Sequence, residues 1–352
     1  MAQRAAAFLL EPFLEFPFVE SRLDQAVLLA YLLTLTLRPQ LPTAPLFCVS
    51  ATTPGTGKGL LVEACNLLVR GRDAALMPAI QGANAEEETR KRITALLLQG
   101  VSSINLDNWT RPIGGEAMNA LLTAGDWSDR VLGRSETVSL PARLTLAATG
   151  NNLSVRDDMT RRSLLIQLDA GVERPELRSF QEPNLTGMVI RRRSELLAAL
   201  FTILKGYRQA GKPGMIERLL GRFEPWSMTV AAPLRWLGYP DPTDSQARLR
   251  EADPEIQGKR AIRGFTSMGY LALLSFSAEV ESDVGGFLHT LLGAARSERR
   301  QKQASCPHGH PLSDPGRRGE RCRRLGGDRG VWKSQDRVVA AVLPLYQWGA
   351  FP

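Results

Sequence analysis

The chain is 352 residues long, 43% hydrophobic and 23% charged, with a formal net charge of +8. That length supports two domains and a sizeable core, and that composition is a globular chain's, which argues against a disordered or fibrous protein. Its four cysteines, Cys48, Cys65, Cys306 and Cys322, make no disulfide framework, so a reducing cytoplasm is the expected compartment.

Residues 1–45 carry apolar positions at helical spacing as far as Arg38-Pro39, which predicts an N-terminal helical segment. The apolar run Ala26–Leu37 falls short of the roughly 20 residues that span a bilayer. It reads as a buried helix, and no membrane partner is expected. The first residues also lack the layout of a secretory signal.

A core is expected over 46–214. Leu46–Ser50 reads as a buried strand, and Thr53-Pro54-Gly55-Thr56-Gly57-Lys58-Gly59-Leu60 follows it into a helix that Gly71 ends. Strand, glycine-rich turn, lysine and helix form a cradle for nucleotide phosphates. Turn amides and the helix N-terminus face the anion, and the lysine meets the β- and γ-phosphates as a point charge. The pattern is incomplete. Thr52 stands where the first glycine belongs, and Gly59 where a hydroxyl would ligate Mg²⁺. An ordinary Gly-rich turn is the alternative reading.

Glu86–Leu98 is predicted helical, and Val101–Leu106 is predicted to be a short strand that ends in Asp107. An aspartate at such a strand tip can hold the metal of a bound nucleotide. Asn108 follows it, where a water-activating glutamate is common, so no catalytic base is assigned. A short helix over 116–125 comes next, then a strand over 144–149 that ends in Gly150-Asn151-Asn152. A polar side chain at that tip can position water against a γ-phosphate, and a plain turn is the alternative. Arg161 and Arg162 precede the apolar stretch Ser163–Leu168, as arginine fingers or as part of a solvated turn. A single amphipathic helix is predicted over 188–210, with Val189, Leu196, Leu197, Leu200, Phe201, Leu204 and Tyr207 on its apolar stripe. Arg191, Arg192 and Arg193 fall in its first turns, on a solvated face or against DNA phosphates.

A helical extension is expected over 215–253, and a basic C-terminal region over 254–352. Residues 291–330 hold ten Lys/Arg against four Asp/Glu, a net +6. Such a segment suits nucleic acid, or else a solvated tail. Cys306, His308, His310 and Cys322 match no usual zinc spacing. Residues 330–339 read as a small terminal module, with a winged-helix remnant as one option.

The motif order is Thr-Pro-Gly-Thr-Gly-Lys, Asn-Leu-Asp-Asn, Asp-Arg-Val-Leu-Gly-Arg-Ser, Ala-Thr-Gly-Asn-Asn, Thr-Arg-Arg. Over roughly residues 10–245 it resembles the AAA+-like P-loop ATPase and helicase modules of primase-associated, superfamily-three-like replication proteins of phages, plasmids and integrated elements. Phe16-Pro17-Phe18-Val19 and Ala232-Pro233-Leu234-Arg235-Trp236-Leu237-Gly238 belong to the match. The resemblance implies an α/β fold with a parallel sheet flanked by helices, and an ATP-dependent DNA helicase or translocase acting in replication. ATP and Mg²⁺ are the implied cofactors. Thr53 to Leu60 would cradle the nucleotide, Asp107 would serve the metal, and Asn151 or Asn152 would sense the γ-phosphate. Arg161 or Arg162 would reach into a neighbouring subunit, with Arg130 and Arg134 as further contacts. The implied partners are single-stranded DNA, further copies in a ring, often a hexamer, and a separate primase. Gly59, Asn108 and the lack of a primase domain depart from the pattern. A nucleotide-regulated DNA-associated protein with little hydrolysis is the alternative expectation, and a fragment or a relic stays open.

Overall fold

The computed structural model describes residues 1–253, except 81, 83, 131–136 and 215–218. The expectations for 254–352 and for Arg134 lie outside the described residues.

Two helices open the chain, α1 (Ala2–Leu10) and α2 (Ser21–Leu37). α2 contains the longest apolar run and is buried almost all round, against the first strand's neighbours and later helices. Its two buried polar side chains are satisfied internally. Thr34 Oγ1 donates to the Ala30 carbonyl at 2.6 Å and accepts from Trp226 Nε1 at 2.8 Å. Asp24, fully buried, takes the Glu20 amide at 2.8 Å, the Gln167 amide at 3.0 Å and Arg248 Nη2 at 2.6 Å. The apolar run is therefore core, as its length implied. No helix among the described residues is long and apolar enough to cross a membrane.

The sheet is parallel, in the order β2 (Ala75–Pro78), β3 (Ser103–Asp107), β6 (Thr145–Asn151), β1 (Leu46–Ala51), β7 (Ser163–Leu168). Parallel neighbours need crossovers, which α3 (Lys58–Arg70), α4 (Ala85–Leu98) and α5 (Glu116–Thr123) help to supply. The fold is thus α/β, with helices flanking a five-stranded parallel sheet. All six residues of β1 are buried, as a strand covered on both faces requires. Cys48 lies within it and Cys65 within α3. Burial pushes both thiols up, Cys48 to about 12, so neither is a reactive group.

Several elements differ from expectation. β2 was not anticipated, being four residues at the sheet edge and ending in proline. An antiparallel hairpin, β4 (Asp126–Arg130) with β5 (Thr137–Pro141), lies in a segment for which no element was expected. Only Trp127 is strongly apolar in β4, so the alternation was faint. Tertiary contacts hold it instead: Trp127 Nε1 donates to Thr94 Oγ1 at 2.9 Å, and Thr94 donates to Asp129 at 2.7 Å.

The single long helix is in fact two, α6 (Leu185–Arg191) and α7 (Arg193–Gln209), broken at Arg192. The break has a physical reason in the arginine triplet. Arg193 turns onto the C-terminus of α3, donating from Nε to the Leu68 carbonyl at 2.9 Å and from Nη2 to the Val69 carbonyl at 3.1 Å. A cation there satisfies orphan carbonyls and meets the negative end of the helix dipole. Arg192 pairs with Glu11 at 2.9 Å and lies over the Phe8 ring. Arg191 pairs with Glu182 at 3.6 Å. Arg192 and Arg193 thus join helical elements, while Arg191 stays 63% exposed on a solvated face. Phe201, placed on the apolar stripe by spacing, is 55% exposed. Gly211, at φ +77°, follows α7 where a stop was expected.

Beyond α7, α8 (Glu224–Trp226), a π-helical turn (Ser227–Ala231) and α9 (Ala232–Trp236) run on from one another, and α10 (Gln246–Glu251) packs on β7. The hydrophobic core is continuous from Ala2 to Leu249.

Candidate functional site

Because β1, β3 and β6 are parallel, their C-terminal tips share one edge of the sheet. β1 ends at Ala51, and the loop 52–57 leads directly to Lys58, the first residue of α3. Gly55 and Gly57 sit at φ +77° and +92°, a region in which side chains are strained. Thr56 Oγ1 closes the turn by donating to the Thr53 carbonyl at 2.5 Å. Gly59 is different: a Cβ there would meet nothing within 4 Å. Its lack of a side chain is not imposed by space.

Lys58 Nζ donates to Asn151 Oδ1 at 2.6 Å and lies 3.4 Å from the Thr53 carbonyl. The register Ala51↔Asn151 explains the meeting, since the two strand tips are adjacent. Burial holds the Lys58 ammonium below its ordinary range, the mark of a cation short of solvent. Asn152, the other candidate at this tip, stands in the left-handed region at φ +46°, and its amide donates to the Ala51 carbonyl at 2.9 Å. Asn151 is the one that faces Lys58.

Asp107 ends β3, with β6 lying between it and β1. At a strand spacing of about 4.8 Å, that sets it roughly 10 Å to the side of the β1 tip. Thr149 bridges the interval. Its Oγ1 donates to Asp107 Oδ1 at 2.9 Å and accepts from the Asn108 amide at 3.1 Å. Asn108 is left-handed, at φ +47°, which swings the chain away after the carboxylate. Sequence reasoning missed Thr149. Its only signal was a hydroxyl near the end of an apolar strand. Gly150 is equally tied to this corner, because a Cβ there would fall 2.4 Å from the Trp109 carbonyl oxygen.

Lys58, Asn151, Thr149 and Asp107 are therefore gathered on one edge. Arg161 and Arg162 are not. They precede β7, at the opposite end of a strand of six residues, about 20 Å long. Both pair with Asp158. Arg161 stays largely exposed, while Arg162 Nη1 also donates to the Asn119 carbonyl at 3.1 Å. They line a cavity of about 760 Å³ with Arg222, Glu224, Gln246 and Arg250. Within one chain neither arginine reaches the Lys58 edge. Arg130 ends β4, exposed.

The segment Phe16–Val19 runs antiparallel beside the end of β7. Phe18 pairs with Leu168, the Val19 amide donates to the Gln167 carbonyl at 3.0 Å, and the Asp169 amide donates to the Pro17 carbonyl at 2.8 Å. This brings the Phe16 ring to the Gly-rich loop, 3.1 Å from where a Cβ of Gly57 would stand. Asp169 accepts from Thr52 Oγ1 at 3.3 Å.

A turn with two left-handed glycines beside a half-buried lysine, at a helix N-terminus, suits a polyanion such as a nucleoside triphosphate. The fit for Mg²⁺ is partial. Asp107 offers a carboxylate, Gly59 offers no hydroxyl, and no group of three or more His, Cys, Asp or Glu among the described residues is placed to hold a metal. Mg²⁺ needs few protein ligands when phosphates and water complete its shell, so one carboxylate is compatible with it.

No protein-family model matches this chain, and no curated protein does. Two solved structures to which it is similar are both of the C-terminal region of NrS-1 in apo form. Identity is 13% and 12%, and the TM-scores are 0.35 and 0.36. Each covers 56% of this chain, and the chain spans 45% and 44% of the length of those structures.

Proposed function

We propose that the chain binds ATP at the Lys58 edge of the sheet and hydrolyses it to drive movement on single-stranded DNA, in the replication of a phage, plasmid or integrated element. The observation that carries the nucleotide reading is the 2.6 Å contact between Lys58 Nζ and Asn151 Oδ1 at adjacent strand tips, beside a loop with two left-handed glycines. The DNA and replication setting rests on the order of the motifs along the chain.

In this reading, the amides of the loop 53–59 and the N-terminus of α3 hold the phosphates, and Lys58 neutralises charge on the β- and γ-oxygens. Mg²⁺ bound with the nucleotide would spread that charge further, with Asp107 as its protein ligand. Asn151 exchanges its bond to Lys58 for one to the attacking water or to the γ-phosphate. Thr149 is a positioning residue that fixes the Asp107 carboxylate. Catalysis is then mostly positioning and electrostatics. Arg161, distant from its own site but exposed, is suited to act on the site of a neighbouring copy in a ring.

Steady-state ATP hydrolysis with Mg²⁺, with and without single-stranded DNA, tests the proposal. DNA-stimulated turnover is expected. Saturable nucleotide binding without turnover would instead favour a nucleotide-regulated DNA-associated protein, the reading that Gly59 motivates.

Gly59→Thr separates the two. Open space at this position lets threonine enter without a clash, so the variant should keep its melting temperature. If the missing hydroxyl limits the reaction, turnover rises at least about tenfold, the effect of roughly 1.4 kcal/mol on the barrier. Unchanged turnover in a stable variant would mean that the metal is already held adequately where native turnover is present, and that the defect lies elsewhere where it is absent.

A further inference from the structure

Beyond β7 the chain does not leave the site. Residues 169–182 cross the Gly-rich loop as a strap, pinned at both ends to the N-terminal segment. At the near end, the Asp169 amide donates to the Pro17 carbonyl, and Asp169 Oδ1 accepts from the Gly171 amide at 2.9 Å. At the far end, Arg178 Nη2 donates to the Glu15 carbonyl at 3.0 Å, and the Glu15 carboxylate takes the amides of Gln181 and Glu182 at 2.8 and 3.2 Å. Between these anchors lies Glu176. A Cβ on Gly55 would stand 2.9 Å from Glu176 Oε2, 3.3 Å from its Cβ and 3.4 Å from its amide nitrogen. Phe16, next to Glu15, covers Gly57 in the same way.

The strap places a carboxylate on the Gly-rich turn beside Lys58. It is also lightly held. Pro175 is buried, but Val172, Leu177 and Phe180 are 47%, 70% and 45% exposed. Its anchors are polar contacts, not buried apolar area, which is the profile of a segment that opens locally at low cost.

We infer that the strap is an autoinhibitory lid: Glu176 opposes the phosphates of an incoming nucleotide, and binding requires the strap to lift from Gly55. This rests on the nucleotide reading of the Lys58 edge. Because Glu15 ties the strap to the segment that carries Phe16, lifting also loosens the N-terminal cover of the loop.

The test uses the full chain, with a fluorescent ATP analogue and inorganic pyrophosphate as probes. Glu176→Gln keeps the shape of the side chain and removes its charge. Both probes should bind about three- to tenfold more tightly, and the gain should shrink in high salt, where repulsion is screened. Trypsin cleavage after Arg178, which Ser179 follows, should quicken when the analogue is bound to the native chain. Affinity in Glu176→Gln within twofold of native overturns the proposal, and so does slower cleavage on binding. Lys58→Ala distinguishes the failures. If native protein binds, Lys58→Ala does not, and Glu176→Gln equals native, only the lid falls. If neither native protein nor Glu176→Gln binds either probe, the site reading falls and the lid with it.

Discussion

Lys58→Ala should lower ATP turnover by about 10²–10³-fold, the usual loss on removing one preorganised group that stabilises transition-state charge. The lysine opens α3 directly after the Gly-rich turn, with its Nζ held 2.6 Å from Asn151 Oδ1. In the nucleotide reading its charge is the one that meets the γ-phosphate. The variant should also fold normally, and the sign of the pKa shift says why. Burial lowers the Lys58 pKa in the folded chain, so the charged form is disfavoured by folding. That penalty is present at neutral pH and fades only as the pH rises through the folded pKa. Losing the ammonium therefore removes a burden on stability. The measurement is steady-state hydrolysis beside a thermal melt. Wild-type turnover in a folded Lys58→Ala protein would sink the assignment of this edge as the ATP site.

Asp24→Ala should lower stability by about 3–5 kcal/mol, with a drop in Tm on the order of 10 °C. Asp24 is fully buried and joins three elements: its own helix α2, the end of β7 through the Gln167 amide, and α10 through Arg248. Removing it leaves the Arg248 guanidinium, itself only 14% exposed, with only the exposed Glu20 carboxylate at 3.9 Å, and also leaves the amides of Glu20 and Gln167 without their acceptor. Taking out both charges should cost less than taking out one. Asp24→Leu with Arg248→Met should melt above Asp24→Ala, because no unpaired charge remains. A shift under about 2 °C for Asp24→Ala would show that the ion pair does not tie these elements together.

The sequence alone determined the features that depend on local chemistry. The buried strand β1 is legible as Leu46–Ser50 because a short apolar run between Pro45 and the Gly-rich turn suits a strand covered on both faces, where the longer run of α2 suits a buried helix. The glycine-rich turn before Lys58 is legible because few residue types accept its backbone, and Gly71 marks the end of α3 for the same reason. The strand tips at Asp107 and Asn151 could be read as apolar runs meeting a polar residue. Their roles could not be divided between Asn151 and Asn152 from the sequence, because both follow the same strand. Register decided it, since pairing with Ala51 turns Asn151 toward Lys58.

What only the tertiary structure decided concerns groups whose partners lie far away along the chain. The hairpin β4–β5 owes its place to Thr94 and Arg90 on α4, so its own pattern was too weak to read. Arg193 looked like surface charge until the end of α3, more than a hundred residues earlier, was found beneath it. The distance between Arg161 and the Lys58 edge follows from strand direction, which composition does not encode. The strap over Gly55 is the extreme case. Its residues have no extended helical or strand periodicity, and their position rests on the buried Pro175 and on polar contacts to Glu15 and Pro17, about 150 residues earlier in the chain. Local propensity is written in neighbours along the chain, whereas long-range pairing forms only once the sheet has set which ends meet.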